Sequence, residues 1–243
     1  MPARRSSHRG FTLIELLVVV AVIAILASLL MPTVFRAMQS ATGTSCTSNL
    51  KQLHSGILMY VKDYDFLPAA GDGSWRRWYN HLEELYLHDV NVFACPANKA
   101  VAYGYGLNYR FYSGPNVPNQ PLVYLWYNAL PLSLVQTPSS CILTCDTGWV
   151  EPGTMDLPAE EWKERQTIVS RGFVRFPQCA APLGDRDGEK YYPWWRTDPW
   201  RPFPRHPGPK ANFVFFDGHV DALDVQPIVS VDFGDPQCLY DYK

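Results

Sequence analysis

Charge is scarce in this chain of 243 residues, and neither sign dominates: 21 basic against 23 acidic side chains leave a formal −2. No nucleic-acid partner is expected, because such proteins present clustered positive charge. Disorder is equally disfavoured, since 47% of the residues are apolar and 14% aromatic, whereas disordered segments are poor in both. No internal repeat or low-complexity tract occurs. Also missing are the patterns of a nucleophile elbow, a phosphate loop, a dinucleotide-binding turn and a zinc-peptidase helix. No enzyme activity is therefore expected. Long apolar runs are absent except for one near the N-terminus, and the mean hydropathy of the whole chain is slightly negative. That excludes a multi-pass membrane protein.

The single run covers residues 11–31, and only Thr12, Glu15 and Ser28 interrupt it. At about 1.5 Å per residue it forms a helix of roughly 31 Å, the thickness of a bilayer's hydrocarbon core. Arg4, Arg5, His8 and Arg9 precede it. Positive charge stays cytoplasmic, which puts the N-terminus inside and the remainder outside. A secretory signal peptide would have a shorter apolar stretch, about 7–15 residues, followed by small residues at a cleavage site. No such site precedes Pro32. Glu15 is the discordant residue. A carboxylate within a membrane segment costs on the order of 2.5–3.5 kcal/mol on insertion scales, so it calls for a partner. Pro32 ends the run, and its missing amide donor predicts a kink or local melting.

Farther along, Leu50, Leu53, Ile57, Tyr60, Val61 and Tyr64 recur every three or four residues, the spacing of one helical face. The helix is expected to continue to about Tyr64, loosened near Gly43. The rest reads as α+β. A short helix over 75–88 should turn Trp78, Leu82, Leu85 and Tyr86 inward. Strands are expected over 122–127, 141–145, 168–176, 212–216 and 219–223, with Asp217-Gly218 as a two-residue hairpin. Proline-rich 193–209 suits a surface loop.

Arg9-Gly10-Phe11-Thr12-Leu13-Ile14-Glu15 resembles the cleavage and methylation signal of type IV pilins and type II secretion pseudopilins. The resemblance implies a cut between Gly10 and Phe11 by a prepilin peptidase/methyltransferase and methylation of the new N-terminal Phe11. It also implies a filament in which that α-amino group is neutralised by Glu15 of a neighbouring copy. Pro32 stands where such pilins often carry a proline. Cys46-Thr47-Ser48-Asn49-Leu50-Lys51-Gln52-Leu53, Phe93-Ala94-Cys95-Pro96 and Tyr103-Gly104-Tyr105-Gly106-Leu107-Asn108-Tyr109 are similar to segments of bacterial prepilin-type proteins. So is the tail from His206 to Asp217-Gly218-His219. In that group nine residues separate the histidine from Asp-Gly; here ten do.

The implied fold is α+β, a long N-terminal transmembrane α-helix packed on a small antiparallel β-sheet head. The implied organisation is a cleaved leader over 1–10, a membrane or filament-core helix over 11–31, its extension over 32–65 and a head over 66–243. The implied function is structural: a pilin or, preferably, a major-type pseudopilin. Its partners would be copies of itself, the peptidase, an inner-membrane assembly platform and, before assembly, the lipid bilayer. The N-terminus would be cytoplasmic and the head periplasmic.

Cys46, Cys95, Cys141, Cys145, Cys179 and Cys238 are disulfide candidates if the head is exported. Cys46 with Cys95 is preferred because both lie in segments that carry the resemblance. Cys141-Ile-Leu-Thr-Cys145 could begin a zinc site, but no second pair completes four ligands, and in a strand both thiols would face one side. Asp217, His219 and Asp221, with His206, form the one cluster suited to a divalent cation. Imidazoles disfavour calcium, and a turn role for Asp217 is preferred, so no cofactor is expected. Trp194, Trp195 and Trp200 could stack on a sugar, although closing a loop over the core is the commoner use. Two alternatives follow: a membrane-anchored glycan- or polymer-binding surface protein, and an anchored metal-dependent hydrolase using His206, Asp217 and His219.

Overall fold

The computed structural model describes residues 12–68, 76–98, 103–108, 132–165, 173–174, 199–230 and 239. The strand expected over 122–127 lies outside them, as do Trp194, Trp195, Cys179 and Cys238. The chain divides into two compact units, Met1–Ala41 and Thr42–Lys243. The expected extension over 32–65 is therefore shared between them.

Helix α1 spans Leu13–Tyr64 without a break. Neither Pro32 nor Gly43 interrupts it, so local melting is not observed. A proline removes only one amide donor, and the adjacent turns keep theirs. Ser28 and Thr33 also donate their hydroxyls back to the carbonyls of Ile25 and Leu30, both at 2.7 Å. Asp65, at φ 64°, stops the helix in the left-handed region, its amide donating to Val61 at 2.8 Å. In the first unit every described residue of the helix is exposed. Seventeen large apolar side chains between Leu13 and Met38 stand bare. This segment is long and apolar enough to cross a membrane.

In the second unit the helix becomes part of a core. Cys46, Leu50, Leu53 and Ile57 are fully buried, and Tyr60 and Val61 pack against them. Tyr64 is half exposed, because the stripe has by then reached the helix end. Helix α2, Trp78–Leu82, passes into a wider π-helical turn over Glu83–Leu87. Trp78 and Leu82 face the core as expected, whereas Leu85 is 43% exposed. The wider turn shifts the helical phase and rotates Leu85 outward.

Among the described residues the unit has six strands: β1 Tyr105–Asn108, β2 Ile142–Trp149, β3 Phe173–Val174, β4 Trp200–Pro202, β5 Lys210–Phe215 and β6 Val220–Asp224. The order is β3-β1-β2-β5-β6, with β4 also paired to β2. Pairing is antiparallel except for the short β1–β3 contact, which is parallel. Along β5, Val214 faces the α1 side, while Ala211, Phe213 and Phe215 join a second core. Helix α3, Val225–Ser230, closes that second core with Val225, Ile228 and Val229. The α+β architecture, a long N-terminal apolar helix with a mainly antiparallel sheet, matches the expectation.

Two local details differ from it. Between Ile142 and Thr144 two residues of β2 step against one of β5, since Ile142 faces Phe215 and Thr144 faces Val214. This bulge resets the alternation, so Cys141 enters the core beneath α1 and Cys145 the opposite one. The two thiols do not share a face. The β5–β6 turn also lies one residue earlier than expected. Gly218 N–H donates to Phe215 at 3.0 Å, and Phe215 N–H to His219 at 3.0 Å. Phe216 and Asp217 are thus the turn's centre, and Gly218 follows at φ 91°, the glycine position of a three-residue loop.

His54 of α1 fixes this turn, its Nε2 donating to the Phe216 carbonyl at 3.1 Å. A Cβ at Gly218 would come within 2.7 Å of the His54 ring. Gly218→Ala is therefore expected to destabilise the head by about 1–3 kcal/mol, measured as a lowered denaturant midpoint.

Candidate functional site

Gly10 and Phe11 lie outside the described residues. The first described groups form a reciprocal cap. Thr12 donates its amide and its hydroxyl to Glu15 Oε2, at 2.9 and 2.7 Å, and the Glu15 amide donates to Thr12 Oγ1 at 3.3 Å. Such pairing satisfies amides that a helix start leaves open. It places the Glu15 carboxylate at the N-terminal end of α1, where the helix dipole favours a negative charge. The carboxylate is exposed and able to accept from a further cation. Pro32 lies farther along the same bare surface.

At the β5–β6 turn, His219 sits between two carboxylates. Its Nδ1 donates to Asp217 Oδ1 at 2.6 Å, and its Nε2 is 3.7 Å from Asp221 Oδ2. The ring stacks on Phe215 at 4.1 Å. Burial opposes ionisation of Asp217, yet the His219 amide and imidazole together hold its carboxyl below the usual value. The two acids use opposite nitrogens of one imidazole, so this arrangement does not converge on a single ion. Asp217 acts here in the turn. His206 is engaged elsewhere, with its Nε2 3.0 Å from Asp146 Oδ2.

Cys46 and Cys95 come together as free, buried thiols, and Cys141 and Cys145 are buried as well. Around the first pair stand Asp146 and His206, one ligand-capable atom from each of the four lying within 4.8 Å of the others. Several elements build this arrangement. Asn49, one turn beyond Cys46 on α1, donates to the Ala94 carbonyl at 3.1 Å and so holds the loop bearing Cys95. Gly104 permits a close approach, since a Cβ there would meet the Cys95 amide at 2.7 Å. The Asn212 amide donates to Asp146 Oδ2 at 2.7 Å. The Cys95 sulfur beside Cys46 lowers the Cys46 thiol's pKa, and its own rises in consequence. Burial works against a charged His206, but Asp146 and then Cys95 raise it from 6.5 to about 9.

Asp146 escaped the sequence reading. Its signal was there: β2 is buried along nearly its whole length, and a carboxylate in such a strand is anomalous. Of the aromatic candidates, Trp200 is buried beside Trp149, with 6.5 Å between ring centroids.

A bilayer-length apolar helix with an acid near its start, continuing into an α+β head, defines a prepilin-like protein. The family described as "Prokaryotic N-terminal methylation motif" matches residues 5–31. Type II secretion system core protein G of Klebsiella michiganensis is 37% identical over 70 residues, 29% of this chain and 49% of that protein. The core protein G of Escherichia coli (strain K12) is 34% identical over 66 residues, 27% and 46% of the two chains. Competence protein ComGC of Halalkalibacterium halodurans is 32% identical over 75 residues, 30% of this chain and 74% of that protein. The chain spans about half the length of the core protein G relatives it matches. No solved structure matches it. The chain belongs to the pilin-like pseudopilin family.

The loop bearing His206 is anchored by the preceding Arg205, whose guanidinium pairs with Glu164 and donates to the Gly104 carbonyl at 2.7 Å. The Arg205 and Glu164 side chains are only 3% and 11% exposed. Removing one partner of such a pair strands the other charge. Glu164→Ala is expected to cost about 3–5 kcal/mol, read as a lower thermal midpoint of the head.

Proposed function

We propose that this chain is a structural filament subunit, a major-type pseudopilin or pilin, made as a precursor with residues 1–10 as its leader. A prepilin peptidase/methyltransferase cuts after Gly10 and methylates Phe11. Residues 11–31 then hold the protein in the inner membrane, with the N-terminus cytoplasmic and the head periplasmic, until an assembly platform transfers it to a type II secretion pseudopilus or type IV pilus-like filament. The relatives' names, which speak of type II secretion and of competence, support this class of assembly.

The observation that carries the proposal is the bare apolar helix itself. Covering a large apolar side chain contributes roughly 1.5–3 kcal/mol, and seventeen of them are exposed between Leu13 and Met38. Lipid can cover them, and so can the same helix of neighbouring copies. The exchange is favourable only if charge is not left unpaired in the new apolar surroundings. Glu15 supplies that condition. Held by Thr12, its carboxylate accepts the α-amino group of a neighbouring Phe11, and the cost of an unmatched charge, several kcal/mol, selects one axial register.

Mass spectrometry of filaments purified from the native bacterium is expected to find this chain beginning at N-methylated Phe11. A mature protein that retains residues 1–10 within filaments would falsify the processing scheme. Glu15→Val is expected to leave the chain in the inner-membrane fraction while electron micrographs lose the filaments. Normal filaments from that variant would remove Glu15 from the assembly step.

A further inference from the structure

Four side chains that no sequence motif links meet inside the second unit. Cys46 comes from α1, Cys95 from the loop following the short helical turn Val90–Phe93, Asp146 from β2, and His206 from the loop between β4 and β5. All are withdrawn from solvent: Cys46 is 0% and Cys95 1% exposed, and the side chains of Asp146 and His206 are 0% and 6% exposed. Among the described residues, this is the one grouping of three or more cysteine, histidine and acidic side chains whose donor atoms converge.

Hydrogen bonding does not satisfy the group. Asp146 Oδ2 accepts the Asn212 amide, but Asp146 Oδ1 and both ring nitrogens of His206 have no hydrogen-bond partner. The 3.0 Å approach of His206 Nε2 to Asp146 Oδ2 brings the two side chains together without hydrogen-bond geometry. A buried polar atom without a partner costs about 1–3 kcal/mol, and native proteins rarely leave several in one place. Two thiols beside them add donors that are strong only as thiolates. One cation at the centre would engage an Asp146 oxygen, one ring nitrogen of His206 and both sulfurs together.

We propose that Cys46, Cys95, Asp146 and His206 are the four ligands of a structural zinc ion. Sulfur and imidazole donors select zinc over calcium or magnesium, which take oxygen ligands. Bonds of about 2.0–2.3 Å in a tetrahedron place ligand atoms about 3.3–3.8 Å apart, within the 4.8 Å envelope found here. Four protein ligands leave no open position for water or substrate, so the ion serves the fold and not a reaction. Binding expels one proton from each thiol, and a third from the imidazole wherever that ring is protonated beforehand. The Asn212 amide on Asp146 Oδ2 is an outer-shell contact that orients the carboxylate. The ion would fasten α1 to the Cys95 loop, β2 and the His206 loop at one point. This assignment is independent of the filament function and would stand if that function failed.

The rival fate of the two sulfurs is a Cys46–Cys95 disulfide, and one set of measurements separates them. Full-length protein purified in detergent without reductant or chelator is expected to carry about one zinc per chain by elemental mass spectrometry. Replacing that metal with Co2+ should produce a thiolate-to-cobalt charge-transfer band. His206→Ala and Cys46→Ser should each lower zinc affinity by more than the 10–100-fold typical of an outer-shell change, while Cys141→Ser should retain it. The wild-type cobalt spectrum decides the matter even if a ligand variant fails to fold. A Cys46–Cys95 disulfide in the native protein overturns the assignment. So does reduced wild-type protein that takes up neither zinc nor cobalt.

Discussion

The large apolar side chains of α1 from Leu13 to Met38 are exposed, and much else about the molecule answers to that. An exposed surface of this size is not tolerated by soluble monomers, whose apolar patches are far smaller. Composition is shaped around it as well. Between Leu13 and Met38 the charged side chains are Glu15 and Arg36 alone, and Arg4, Arg5 and Arg9 precede the run. Beyond Ala41 the same helix changes its role, and its buried stripe of Cys46, Leu50, Leu53 and Ile57 forms one wall of the head's core. One continuous element therefore serves two environments, with the transition written in side chains and not in a break of the backbone.

The head is built on the opposite logic. The sheet face beneath α1 is not uniformly apolar, because Thr144, Asp146 and Asn212 are buried there beside Tyr105, Leu143 and Val214. Polar groups in such a position specify a single arrangement only if every one is satisfied. Asn49, Gly104, Arg205 and Glu164 sit around the group and restrain its backbone. These residues come from across the chain, so the centre of the head is defined by long-range convergence and not by any local segment.

That distinction explains what could be read from the sequence. The long helix, its inward stripe, the strands around Asn212 and Val220 and the family itself are local or periodic signals, and the structure and relatives agree with them. Periodicity gave no warning of the π-turn that exposes Leu85, because its one-residue phase shift is set by packing. The Asp217-Gly218 pair was read as the centre of a hairpin, whereas the turn moved back one residue so that Gly218 takes the positive φ beside His54. Sequence proximity tied His206 to Asp217 and Cys141 to Cys145. Tertiary structure instead joins His206 to Asp146, 60 positions away in number, whereas Cys46 and Cys95, paired on the family resemblance, do meet. No spacing rule reaches that far.

The bulge in β2 has the widest reach of these details. In an unbroken strand, Cys145 would point with Cys141 and Leu143, and Asp146 would point with Ile142 into the oily layer beneath α3. The additional residue swaps the two, giving the thiol to the hydrocarbon side and the acid to the helix side. A single-residue deletion there would conserve almost every amino acid yet exchange the chemical characters of the two interiors. The identity of the head's polar heart is thus a matter of counting, held by one surplus peptide unit.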